Sequence, residues 1–261
     1  MGVYDIIVFN RSFNDFSNIA FRGNSYETLE AYARKVETRV DKKTRVETRT
    51  IISSPDELAA ATLEGFTVTE DMLGNYSQTT YGRTAPSRSS EETPDGLYHL
   101  HFVPKKLTRE VSAVLHIEGL NNIRSATCRL GGVAESIFLA TGKTSANTVT
   151  QEFTPSNPEF SPGSPFNGTL SCEFEIFGLN VIDNNNLHLD ALLVDGKTEF
   201  EGDCTNVKIT ENDDGTGSVT LILEASTEKV PDVKPEGGAG SGFDVDVDGW
   251  GNEINTDIPI N

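Results

Sequence analysis

The chain has 261 residues and a formal net charge of −19, from 21 Lys and Arg against 40 Asp and Glu. So acidic a chain lacks the positive footprint that nucleic-acid phosphates require, and nucleic acid is excluded as a partner class. The hydrophobic fraction of 36% supports a core diluted by strands with one solvated face, and no apolar run approaches the roughly 18 residues of a membrane-spanning helix.

Val3–Phe9 opens the chain with apolar residues on both strand faces, the pattern of a strand in the middle of a sheet. Residues before it carry none of the regions of a secretory signal. The expectation is therefore that upstream strands and any export signal are missing, that Met1-Gly2 is an artificial or misassigned start, and that the first domain is incomplete. Asn10 to Asn24 reads as a loop. Ser25 is placed to cap a short helix over 25–36, with Leu29, Tyr32, Ala33 and Val36 on one side. Arg34 to Arg49 gathers seven Lys/Arg and three Asp/Glu; it reads as a solvated basic face, with a docking patch for an acidic partner as the alternative. The β-branched alternation of Arg45–Ile52 predicts a strand, entered by a turn at Asp41–Thr44. Ser54-Pro55-Asp56-Glu57 has the form of a capping box with proline at the first helical position, which predicts a short helix over 55–62. Phe66, Val68 and Met72 return to apolar packing. Tyr76 to Gly96 is a Ser/Thr/Pro-rich loop, and Leu97–Val103 a strand. Pro104-Lys105-Lys106 interrupts the patterning. The domain boundary is placed there, giving domains 1–104 and 105–261.

The stretch Leu107–Gly142 is the most regular of the chain. Val111, Ala113, Leu115 and Ile117 share one face of a strand, with Glu110, Ser112, His116 and Glu118 on the other. Gly119–Asn122 supplies a turn. A second strand places Ala126, Cys128 and Leu130 on one face and ends at Gly131-Gly132. The two read as a hairpin that nucleates the second domain. Phe153–Pro165, with four prolines, is a surface loop. Leu170, Cys172, Phe174 and Ile176 alternate in a further strand, and Leu187–Val194 in another. Val207–Ile209 and Ser218–Leu223 flank a turn at Asn212–Gly215. Strands at short intervals with no helical period predict a sandwich.

Candidate chemistry is sparse. Asp244-Val245-Asp246-Val247-Asp248-Gly249 matches the first half of a calcium loop, but position twelve is Asn255 and no helix flanks it. A closing strand with a solvated aspartate face is the simpler reading, and a weak calcium site the alternative. Gly142-Lys143-Thr144 lacks the earlier glycine of a phosphate loop, since Ile137 stands there, and reads as a β-turn. Gly237–Gly242 follows prolines instead of a strand. His99 and His101 share a strand face and read as an ordinary surface pair; His116 and His188 stand apart. No nucleophile elbow or Cys–His signature occurs. Cys128, Cys172 and Cys204 have neither zinc nor disulfide spacing. Cys128 and Cys172, in phase with apolar neighbours, read as buried free thiols, with a Cys128–Cys172 bridge as the alternative. No catalytic, cofactor-binding or metal-ligating residue is assigned, and a non-enzymatic protein without cofactors is expected.

VYDIIVFN, EAYAR, PDELAAAT with FTVTEDM, VPKKLTREVSAVLHIEGL, SATCRLGGVAESIFLATG, EFEIFGL and FDVDVDGWGNEINTDIPI resemble, in that order, segments of the fimbrillin-related lipoproteins of Bacteroidales. These include a domain of unknown function grouped with the minor fimbrial anchor and accessory subunits of type V pili. The resemblance implies two tandem transthyretin-like β-sandwiches. It also implies export as a lipoprotein to the outer membrane, and a part in pilus assembly and adhesion. Fimbrial subunits would be the partners, bound by strand or edge docking, with a host or bacterial surface ligand as a further possibility. The family's export signal and lipidated cysteine have no counterpart here, so membrane attachment would come only through a lipid anchor outside this chain. The alternative function is a surface carbohydrate- or ligand-binding module using Tyr76–Gly96 or Phe153–Pro165, with Trp250 and nearby tyrosines as candidate sugar contacts.

Overall fold

The structure, a computed structural model, describes residues 1–40, 48–70, 72, 100–180, 185–213 and 219–235. In the first half these form β1 (Gly2–Phe9), β2 (Ile19–Arg22), β3 (Glu30–Ala33), β4 (Lys35–Val40), β5 (Thr48–Ile52) and β6 (Ala59–Val68). After residue 100 come β7 (Lys105–Lys106), β8 (Arg109–Glu118), β9 (Ile123–Ala134), β10 (Ser136–Phe138), β11 (Thr148–Phe153) and β12 (Asn157–Phe160). The last are β13 (Asn167–Ile176), β14 (Leu187–Leu193), β15 (Glu199–Asp203), β16 (Thr205–Asp213) and β17 (Val219–Ser226). No helix of the described residues is long and apolar enough to cross a membrane.

The strands assemble into a six-stranded sheet, β15-β14-β9-β11-β5-β4, and a five-stranded sheet, β12-β13-β8-β17-β16. Both are mixed, since β5 runs parallel to β11 and β17 parallel to β8. Their apolar faces share one core. Val111, Ala113, Leu115 and Ile117 of β8 are buried, as are Ala126, Cys128 and Leu130 of β9. The rings of Phe153 on β11 and Phe174 on β13 stack at 4.3 Å between centroids and tie one sheet to the other. In β8, β9, β11, β13, β14 and β17 alternation puts the apolar half of the strand into this interior and the polar half outside. Two smaller sheets, β1-β6-β7 and β10-β3-β2, complete the described structure.

The period-two reading of β8 and β9 holds residue by residue, but their pairing does not. The two strands form no hairpin. β8 pairs with β13 and β17, β9 with β14 and β11. The connection through Gly119 (φ 89°) and the 3-10 turn Leu120–Asn122 carries the chain from one sheet to the other. Two strands with one apolar face each can bury both faces only by lying in opposed layers. Gly131-Gly132 does not end β9 either. The strand continues to Ala134, with Gly132 at φ 80° and Val133 and Ala134 buried.

Neither stretch expected as a helix is one: 25–36 holds a turn, β3 and the start of β4, and 55–62 an irregular run and the start of β6. Ser25 makes only a turn, its carbonyl accepting from the amides of Thr28 and Leu29. The chain then enters β3, whose Ala31 and Ala33 are buried between β2 and β10. The Ser54–Glu57 capping groups serve other backbones. Ser54 Oγ accepts from Glu175 N (2.9 Å) and donates to Glu175 O (3.1 Å), and Asp56 Oδ2 accepts from Asn18 N (2.7 Å). Short polar side chains of this kind favour caps and turns wherever a backbone donor is offered. Asn10–Asn24 holds a 3-10 turn at Phe13–Asp15 and β2. Of the loop expected at Phe153–Pro165, Phe153 ends β11 in the core and Pro155 is buried, while the rest stays at the surface and includes the edge strand β12, exposed throughout. Residues 100–104 lie in no strand; the rest of the strand expected at Leu97–Val103 lies outside the described residues. The turns at Asp41–Thr44 and at Asp214–Gly215 also lie outside them, while β4/β5 and β16/β17 pair antiparallel as expected.

Strand pairing runs across residue 104. β5 joins β11, β3 joins β10, and β7 joins β6. Thr108 Oγ1 accepts from Leu58 N (3.2 Å), and Leu58 O accepts from Leu107 N (2.7 Å).

Candidate functional site

The first sheet ends on β1. Expected to lie between two neighbours, this strand pairs antiparallel with β6 alone among the described residues. A strand with one partner presents a row of free N–H and C=O groups on its other side. None of its residues is fully buried, and Val3 and Tyr4 are 67% and 52% exposed. Natural edges are commonly blunted by lysine or proline; the sequence GVYDIIVF has neither. Its single charge is used internally. Asp5 Oδ1 accepts from Gly65 N (2.8 Å), with Gly65 at φ 66°, beside a register shift between Tyr4 and Ile6. That contact pins β6 to β1 and leaves the outer edge unaltered.

The far end of β1 is anchored by aromatic packing. Phe9 stacks on Phe21 at 5.4 Å, and Phe13 meets both edge-on at 4.7 and 4.6 Å. Asn10 then closes the ladder, its side chain accepting from Ala59 N (3.0 Å) and donating to Glu57 O (3.2 Å). The strand is held firmly at Phe9 and lies open at Val3 and Tyr4.

A second apolar surface lies at the tip between β12 and β13. Phe160 and Phe166 are 48% and 59% exposed there. Ser161 N donates to Asn167 O (2.9 Å) and Asn167 N to Ser164 Oγ (3.2 Å), which close the tip.

The residues singled out in the sequence do not converge. Gly142-Lys143-Thr144 forms a turn in which Gly142 N donates to Phe138 O and Phe138 N to Lys143 O. Gly142 and Thr144 line a cavity of about 300 Å³ with Lys106 and Arg109. Both cations are committed, Lys106 to Glu175 at 2.7 Å and Arg109 to Glu211 at 2.9 Å, so the cavity offers little to an anion. His101 and His116 are exposed and far apart in the topology. His99, Trp250, the Tyr76–Gly96 loop, Gly237–Gly242 and the aspartates of 244–248 lie outside the described residues. The three cysteines are free thiols. Burial pushes the Cys128 thiol well up and those of Cys172 and Cys204 to about 11, which keeps them protonated and unreactive.

Residues 1–154 match the family model described as a domain of unknown function, DUF5119. The chain belongs to that family. The DUF5119 segment takes in the open edge of β1 and runs past residue 104 to the end of β11. No curated protein matches the chain. Among solved structures it is similar to a candidate adhesin from Bacteroides ovatus ATCC 8483, at 16% identity and a TM-score of 0.48, over 77% of this chain and 65% of that one. A second candidate adhesin from Bacteroides ovatus shares 8% identity at a TM-score of 0.31, over 77% of this chain and 55% of the other. The chain thus spans less than two thirds of either protein.

The open edge was half legible in the sequence. Val3–Phe9 announces a strand without lysine or proline, but not which side of it lacks a neighbour.

Proposed function

We propose that this protein is a non-enzymatic cell-surface component of adhesin or fimbrial-accessory type that works by edge docking. A strand of a partner subunit adds to β1, main-chain hydrogen bonds giving affinity and alternate side chains giving register. The observation that carries the reading is the apolar, unguarded outer edge of β1, with Val3 and Tyr4 exposed. The facing five- and six-stranded sheets agree with the sandwich implied by the fimbrillin-like motifs; the tandem transthyretin-like arrangement and the outer-membrane location belong to the same proposal. The test is fractionation of Bacteroidales cells expressing the full-length protein. It should be cleaved by protease added outside intact cells and should co-purify with sheared surface fibres. The double change Val3→Lys and Tyr4→Lys should abolish co-purification without altering the thermal midpoint. Protection from external protease, or unchanged co-purification of the double variant, would overturn the reading.

Phe160 and Phe166 favour a second reading, an aromatic platform for a surface glycan. Glycan-array binding lost in Phe160→Ala and kept in the β1 variant would support it over the first.

A further inference from the structure

On the outer face of the six-stranded sheet, β14 and β15 bring four ligand-type side chains together. His188 lies opposite Asp203 and Asp190 opposite Glu201 in the register of the two strands. Leu187, Leu189 and Ala191 point into the core, so period two sends His188 and Asp190 outward side by side. One ligand atom each from His188, Asp190 and Glu201 lie within 4.8 Å of one another. We propose that His188, Asp190 and Glu201 form a binding site for a first-row divalent transition cation, with Asp203 and Arg129 as positioning residues.

The surroundings favour a metal over a chance surface cluster. Asp203 Oδ1 lies 2.8 Å from His188 Nδ1. A carboxylate there holds the proton on Nδ1 and turns Nε2 toward the ligands, the usual outer arrangement around a metal-bound imidazole. Nε2 itself lies 3.1 Å from Asp190 Oδ1. Arg129, on the adjacent strand β9, pairs with Asp190 Oδ2 and with Glu152 at 3.0 Å. Asp190 is thereby fixed with its Oδ1 beside His188 Nε2, where both atoms can face the cation. Zinc bonds of about 2.0–2.2 Å need ligand atoms about 3.3–3.6 Å apart. Glu201, exposed on the edge strand β15, closes that gap by side-chain rotation, and solvent takes the remaining position. When the cation binds, any proton on Nε2 leaves to solvent. An imidazole beside two carboxylates suits zinc and its neighbours and disfavours calcium and magnesium, which prefer all-oxygen shells.

The test is calorimetric titration of the chelator-treated full chain with zinc chloride, and separately with calcium chloride. One saturable zinc site is expected, with a raised thermal midpoint, and no comparable calcium binding. His188→Gln and Glu201→Gln should each remove the saturable site, and Asp203→Asn should weaken it by about 10–100-fold. The triple change His99→Gln, His101→Gln and His116→Gln should leave it intact. Glu201 is exposed, so Glu201→Gln decides the matter even if His188→Gln unfolds the chain. Absence of saturable zinc binding, its persistence in Glu201→Gln, its loss in the triple variant, or equal calcium binding would overturn the proposal.

Discussion

β1 and β8 both carry Val and Ile at several positions and end in opposite situations. β8 has neighbours on both sides and sends Val111, Ala113, Leu115 and Ile117 into a closed core. β1 has one described neighbour and no fully buried residue. The difference lies in how the apolar residues are spaced. Strict alternation commits a strand to one inward face, and a second sheet must then cover it. Apolar residues on both faces commit it to nothing until neighbours arrive.

That contrast breaks first in the core. Leu115→Ala should cost about 2–5 kcal/mol in denaturant unfolding, because Leu115 is fully buried. Val3→Ala and Glu110→Ala should each stay within about 0.5 kcal/mol. Equal losses at Leu115 and Val3 would mean that the first sheet is packed as tightly as the sandwich.

A smaller effect sharpens the same point at an edge of the sandwich. A Cβ on Gly168 would stand 2.2 Å from Glu159 O and 2.8 Å from Leu120 Cδ2. Gly168→Ala should therefore lose about 1–3 kcal/mol to overpacking. Hydrogen exchange should quicken at Asn157–Phe160, which pairs with β13, before it quickens in β8.

Much of this was legible in the sequence, and the failures have a common cause. β8, β9, β13, β14 and β17 were readable because side-chain facing is a local property, whereas the alternation of β11 and β15 went unread. Partner choice is not local. Ile117 and Ile123 are close in the chain, yet their strands belong to opposed sheets. The two helices failed for a related reason. Ser25 and Ser54–Glu57 are good capping groups, but Ser25 closes only a local turn with Thr28 and Leu29, while Ser54 and Asp56 meet the backbones of Glu175 and Asn18, and tertiary pairing overrode the local signal. The His188 cluster was missed because His-x-Asp and Glu-x-Asp carry no spacing signature until β14 and β15 lie side by side.

Ser54 tests that account directly. Ser54→Ala leaves the partly buried amide of Glu175 without its acceptor and should cost about 1–2 kcal/mol. Were Ser54 only a loop residue, the change would be silent.

The smallest effect concerns acid. Burial raises the Glu30 carboxyl, but hydrogen bonds from Arg22 and Ser136 outweigh it and hold it below the ordinary 4.5. A carboxyl depressed by folding stabilises the native state above its unfolded pKa, and that contribution fades as pH falls through the folded value. Arg22→Gln should move the acid unfolding midpoint upward by a few tenths of a pH unit, roughly the scale of one exposed ion pair. Circular dichroism between pH 5 and about 2 would detect it. An unchanged midpoint would mean that Arg22 contributes nothing to the β3–β10 joint.

The parallel pairing of β5 with β11 sets a timetable for the nascent chain. Ile52 meets Gln151, so one side of the pair leaves the ribosome roughly 100 residues before the other. At about 5–20 residues per second that is a wait of about 5–20 s. Throughout it the β4–β5 hairpin has no sheet to join, and the core shared by the two sheets has no lid. The polypeptide therefore emerges as a slow, largely uncommitted thread, accessible to any chaperone or translocation machinery that prefers unfolded chains.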